Sequence, residues 1–245
     1  MLIRRKFLWP LLMMALLTAS AILLSFTGTL AQKSKVTNQE PTVESSASES
    51  SDAKRQAKGR RYDRAKSGPI LELGPDVDEL PLNGHWFMGI PALPIAQSDV
   101  ILIGDVLNGT AHLSNSRSTV YSEFSVYIDD VLKNSSGPQT LNAGATIIVE
   151  RLGGAVRFPS GKVQHYRVSR QGLPQTGEKY VLFLKCNGED YDIVTGYWVN
   201  AGQVSPLDGH GDLPFGKHEG KTVDSFLSEL RNAIDTSLPK GAGVK

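Results

Sequence analysis

The stretch TVYSEFSVYIDDVL, residues 119–132, decides how this chain folds. Val120, Phe124, Val126 and Ile128 fall on one side of a period-two repeat, and Tyr121, Glu123, Ser125 and Tyr127 fall on the other. That is the pattern of a strand with one face on a core and the other toward solvent. The phase breaks after Asp129 and Asp130, where Val131 and Leu132 are adjacent apolar residues. A bulge, or a turn onto the next surface, is expected there.

Working outward, Val100 to Ile103 is an apolar run that reads as a buried strand continuing to Val106, with Asn108-Gly109 as a turn signal. Thr146 to Arg151 is a strand stopped by Gly153-Gly154, and Arg157 to Gly161 reads as a turn. Lys162 to Val168 is a more polar strand, and Gly172 to Gly177 is a loop. Tyr180 to Lys185 is apolar without interruption and is expected at the centre of a sheet. In the last strand Tyr191, Ile193, Tyr197 and Val199 are expected on one face. About six short strands with glycine-rich turns predict a mostly-β domain, a small five- to six-stranded barrel over residues 98–205. A glycine-rich loop follows at 206–221, then a helix at 222–237 and a disordered tail at 238–245. Val223, Phe226, Leu227, Leu230, Ala233 and Ile234 form a single apolar stripe on that helix. The stripe needs a partner, and the open end or side of the sheet is the large candidate. Burying four such side chains contributes about 6–12 kcal/mol gross, before entropy.

The other end reads as a targeting segment. Arg4, Arg5 and Lys6 precede an apolar run from Phe7 to Phe26, and Thr29 and Ala31 mark a cleavage site before Gln32. Residues 1–31 are expected to be a cleaved signal peptide or, if uncut, an N-terminal anchor touching the membrane through 7–26. Both place the rest of the chain outside the cytoplasm, in the periplasm or beyond the cell. The paired arginines also suit a twin-arginine signal. Residues 32–68 are rich in Ser, Glu, Lys and Gln without apolar periodicity, which predicts a disordered charged linker. Within it, residues 54–66 hold seven basic side chains against Asp63 alone, a solvated spacer or a contact for a polyanion. Residues 69–97 are acidic and punctuated by prolines, an extended lead-in laid over the barrel with Trp86-Phe87 as its anchor or as an exposed pair for a partner.

The whole chain carries a net charge of +1, and losing the three cations of residues 1–31 leaves −2. That balance argues against a dedicated nucleic-acid binder. With one cysteine, Cys186, no internal disulfide is possible, so the domain must rely on a packed core. Cys186 itself ends an apolar strand and reads as a partly buried thiol.

The ordered series SDVILIGDV (98–106), VYSEF (120–124), VLKN (131–134), VERLGG (149–154) and GEKYVLFL (177–184) resembles a group of uncharacterised exported bacterial proteins with an OB-like barrel. It is distantly similar to the netrin-like barrel of metalloproteinase inhibitors. The resemblance covers about Leu93 to Val199 and implies a fold, and fold does not fix function. Those inhibitors reach a protease zinc through an N-terminal cysteine, which this chain lacks.

Two sets of residues carry candidate chemistry. Arg151, Arg157, Lys162, Arg167 and Arg170 form a basic strip with Phe158 and Tyr166 among them, the kind of strand surface on which OB barrels bind sugars or oligonucleotides. An anionic envelope polymer or another exported protein is the partner this suggests. The strip also reads as a solvated basic edge that resists edge-to-edge pairing. Asp208, His210, Asp212 and His218 cluster in the glycine-rich loop and could bind a divalent metal, although their spacing matches neither a zincin helix nor a calcium loop. No nucleophile elbow and no phosphate cradle is present, and no cofactor is implied. The expected function is a non-enzymatic binding module at the cell envelope. A metal-assisted hydrolase using the Asp208–His218 loop, or a purely structural envelope component, are the alternatives.

Overall fold

A computed structural model of the protein describes residues 40–47, 52–64, 67–82, 89–135, 140–209 and 214–237. The expected signal segment, the Trp86-Phe87 pair and the C-terminal tail lie outside the described residues.

The described chain is mostly β. Its elements in order are β1 (Thr42–Glu44), α1 (Ala53–Arg61), β2 (Glu79–Leu82), β3 (Val100–Leu113), β4 (Val120–Asn134), β5 (Thr146–Leu152), β6 (Gly154–Arg157), β7 (Val163–Val168), β8 (Lys179–Asn187), β9 (Asp190–Asn200), β10 (Gln203–Pro206) and α2 (Val223–Ser237), with a 3-10 turn at Pro214–His218. They form two sheets, one ordered β1-β6-β7-β2 and the other β10-β9-β5-β4-β3-β8. In the second sheet β9 also pairs with β8. The β3–β4, β4–β5, β3–β8 and β8–β9 pairings are antiparallel, while β5 meets β9 in parallel at Val149↔Tyr191 and Glu150↔Asp192.

The expected alternation orders the core. Phe124, Val126 and Ile128 of β4 pack with Val100, Leu102, Val149, Leu182 and Leu184. The phase break after Asp130 is a pair of register shifts in the β3–β4 ladder, which send Val131 to this cluster and Leu132 to the next. That second cluster lies under α2: Phe226, Leu230 and Ile234 meet Ile101, Val181, Phe183, Tyr197 and Val204. The terminal helix therefore covers the side of the sheet. Thr222 starts it, its Oγ1 accepting from the Ser225 N–H at 3.4 Å and its carbonyl from the Phe226 N–H at 3.0 Å.

Two expectations change, and a third is extended. Asn108-Gly109 is not a turn. β3 runs through it to Leu113, with a register shift between Val106 and Asn108, and Gly109 pairs with Phe124 where Pro41 and the Phe124 ring approach too closely for a Cβ. β9 does not keep one face. A register shift opposite Phe183/Leu184 puts Tyr191 and Ile193 in the inner cluster and Tyr197 and Val199 under α2. Finally, Gly153-Gly154 stops β5 at Leu152 as expected, but a further strand follows directly where only a turn was expected. With φ of 114° and 143°, these glycines let the chain swing into β6, whose hairpin with β7 founds the smaller sheet.

The stretch expected to be a disordered linker also carries structure in its described part. β1 adds in parallel to β6, and α1 docks on the outside of β4, β5 and β9. The expected extended lead-in adds β2 in parallel to β7. Neither piece has an apolar pattern of its own, so hydropathy gave no sign of them. They are held by sheet edges, by charge, and by Val43, Ile70, Leu80 and Leu82, which join the apolar cluster of Val120, Val156, Phe158 and Tyr166.

Candidate functional site

The basic strip does not stay together as a solvent-facing surface. Arg151 has a side chain only 1% exposed and is ion-paired at 2.6 Å to Asp208, which is wholly buried. Arg151 also donates to the carbonyls of Gly172 at 2.6 Å and Val194 at 3.3 Å. Arg157 lies 3.9 Å from Glu44, and Lys162 lies 3.9 Å from Asp78 while also donating to the Leu73 carbonyl at 3.3 Å. Arg167 meets Glu40 at 2.5 Å and Glu79 at 3.7 Å. Arg170 is exposed, in a left-handed turn at φ 62°. Acidic residues of the N-terminal segments thus face most of the strip, and the sequence offers no local sign of that pairing.

The metal candidates are divided as well. Asp208 spends its carboxylate on Arg151, on the Thr195 hydroxyl at 2.8 Å and on the Gly172 N–H at 2.8 Å. His218 is 1% exposed, edge-on to the rings of Tyr197 and Phe226, with Nδ1 3.6 Å from Glu229. Burial holds its pKa below the ordinary value. His210 and Asp212 lie outside the described residues. Among the described residues no group of three or more His, Cys, Asp or Glu is placed to hold a metal ion. Cys186 is a half-buried free thiol whose N–H donates to Asp99 at 2.9 Å.

What the fold does assemble is a cleft of about 480 Å³ where the loop after β7 meets β8, β9 and β10. Its lining includes Trp198, Tyr180, Arg167, Gln171, Gln175 and Leu173. Tyr180 and Trp198 are cross-strand partners on β8 and β9, so their side chains leave the same face side by side. The Trp198 indole N–H donates to Glu178 at 2.9 Å, which fixes the ring. The Tyr180 hydroxyl accepts from the Gln175 N–H at 3.0 Å, and burial pushes the phenol up to about 12. Gln171 Oε1 is buried with no hydrogen-bond partner. Glu40 and Pro41 close one side of the cleft. Of the sequence candidates among the described residues, only Arg167 lines this space. The aromatic pair was visible as residues, but its neighbourhood depends on which strands pair.

A second feature was missed. Glu123, Glu150 and Asp190 face outward from β4, β5 and β9, yet they are 9%, 0% and 8% exposed, because α1 covers them. Lys58 Nζ sits 2.8, 2.7 and 3.0 Å from their carboxylates. Arg55 meets Glu123 at 2.8 Å, and Arg61 meets Glu150 at 2.8 Å. Burial opposes the Lys58 ammonium, but its hydrogen bonds to all three acids outweigh this and raise its pKa. Burial likewise opposes the Glu123 carboxylate, and hydrogen bonds from His112, Lys58 and Arg55 hold it well below the usual range. At Glu150 burial wins and its pKa is raised, with Lys58 and Arg61 offsetting part of the effect.

No protein-family model matches this chain, and no curated protein matches it. Among the described residues no helix is long and apolar enough to cross a membrane.

Proposed function

We propose that this chain is an exported, non-enzymatic binding module, an OB-like barrel that holds a glycan strand such as an envelope polysaccharide in the Trp198 cleft. The observation that carries the reading is the lining: an aromatic pair beside a guanidinium and two side-chain amides, around a space of about 480 Å³. A pyranose ring offers an apolar C–H face to an aromatic plane and hydroxyls to amides and charged donors, and binding clefts of this size combine those two kinds of wall. Support for the barrel comes from the ring of pairings β3–β4–β5–β9–β8–β3, since five-stranded OB barrels close in a ring and bind oligosaccharides. Export rests on residues 4–31 of the sequence.

Calorimetry of the full chain with N-acetylglucosamine oligomers, and with polyphosphate as a polyanion, tests this reading. The glycan is expected to bind, and Trp198→Ala is expected to weaken it at least tenfold. Failure of the glycan to bind, or a Trp198→Ala variant with unchanged affinity, refutes the assignment.

A further inference from the structure

The described residues between 40 and 82 contribute two strands and a helix, a strap laid against a body of strands β3 to β10. Both strap strands occupy the outer positions of the smaller sheet, β1 beside β6 and β2 beside β7. Neither β1 nor β2 lies between two strands of the body, so every strand pairing within the body survives if they leave, and what they give up there is the packing of Val43, Ile70, Leu80 and Leu82 on the cluster around Phe158 and Tyr166. Strands added at free edges are the usual mode by which folded domains hold peptides.

The helix between these strands is bound the way a ligand is. Lys54 pairs with Glu189 at 2.8 Å, and Arg55, Lys58 and Arg61 meet Glu123, Glu150 and Asp190 as described. Arg61 also donates to the Asn187 carbonyl at 3.2 Å. The Tyr62 ring stacks on Tyr121 at 4.3 Å and 11°, and its hydroxyl donates to Glu150 at 3.0 Å. Gly59 is needed for the approach: a Cβ there would stand 2.1 Å from Asn115 Oδ1 and 3.2 Å from the Asn115 backbone nitrogen. Asn115 is held in place by donating its side-chain N–H to the Gln56 carbonyl at 2.9 Å. Yet the helix gives no large apolar side chain to a core, and its buried residues are Lys58 and Gly59. Nine residues of this composition are too few to be helical alone. The segment takes its form from the surface it sits on.

We propose that the Glu123–Glu150–Asp190 face is a peptide-recognition site for a basic helix, filled in cis by residues 54–62 and able to take the same segment from a second copy of this chain. The second copy is the partner because it carries the whole complementary set: a lysine for the acid cage, a glycine for Asn115, an arginine and a tyrosine for Glu150. Tethering gives the cis segment an effective concentration of about millimolar, so in dilute solution each chain fills its own site. Exchange emerges when cis seating is blocked.

Two full-length variants separate donor from acceptor. Gly59→Val stops the strap from seating and leaves the acid cage intact. Glu123→Gln/Glu150→Gln/Asp190→Asn dismantles the cage and leaves the strap intact. Mixed in equal amounts, the two are expected to form a one-to-one heterodimer by light scattering, while each alone keeps the wild-type mass. A synthetic peptide of residues 52–64, a hundredfold above its Kd, should raise the melting midpoint of Gly59→Val by roughly 5–10 °C. The same peptide with its order scrambled should not. Absence of the heterodimer, a midpoint unmoved by peptide, or loss of cooperative melting in Gly59→Val would each overturn the proposal; the last would make the strap part of the core.

Discussion

Arg151→Met tests whether Arg151 is an internal support or a ligand contact. The wild-type guanidinium is 1% exposed and faces an Asp208 carboxylate with no exposed surface, at 2.6 Å. Removing it strands that carboxylate against the Thr195 hydroxyl and the Gly172 N–H alone. Breaking a buried pair from one side costs about 3–5 kcal/mol, because the remaining charge is uncompensated. For a domain of this size that lowers the melting midpoint by roughly 6–20 °C. The double variant Arg151→Met/Asp208→Leu removes both charges. It should recover most of the loss, falling short by about 1 kcal/mol for each hydrogen bond no longer made at Thr195 and Gly172. Urea unfolding followed by tryptophan fluorescence measures all three proteins, and glycan titration of the folded fraction shows whether binding is touched. A single variant within about 1 kcal/mol of wild type would refute the reasoning, since it would mean the pair is hydrated. So would a double variant no more stable than Arg151→Met alone.

Leu230→Ala should cost about 2–5 kcal/mol, since Leu230 is wholly buried between α2 and the outer face of β8 and β9; a loss under about 1 kcal/mol in the same urea series would mean the helix is not seated there. His218 supplies a pH signature. Burial among Tyr197 and Phe226 depresses its pKa below 6.5, with Glu229 opposing and Lys221 and Lys217 adding to the depression, so the unfolded chain binds a proton that the native chain refuses. The stability this contributes is present above pH 6.5 and is lost as pH falls through the lowered native value. Thermal melts at pH 7.5 and about 5.5 should therefore show a larger fall for wild type than for His218→Phe, and equal falls would dismiss the effect.

Much of the architecture was legible because its signals are local. The alternation in β4, the unbroken apolarity of β8 and the stripe on α2 each fix which side chains share a face, whatever they later touch. Even the burial of Arg151 had a sign in the sequence. It follows Ile147 and Val149 at steps of two and so stands on their side of β5, although its charge suggested solvent. The same count turns Glu150 and Glu123 outward, and there the rule stops, because outward on this strand pair means under α1.

The sequence alone thus determined the strand-rich body, its inner face and the amphipathic helix against its side, since short-range periodicity dictates those. Only the tertiary structure decided what happens to the charges. Lys58 reaches partners 65, 92 and 132 positions later in the chain. Trp198 gains a cleft only once β8, β9 and the loop after β7 converge. Coulomb attraction and edge pairing act between whatever surfaces folding brings within a few ångströms, and no window of neighbouring residues records which surfaces those will be.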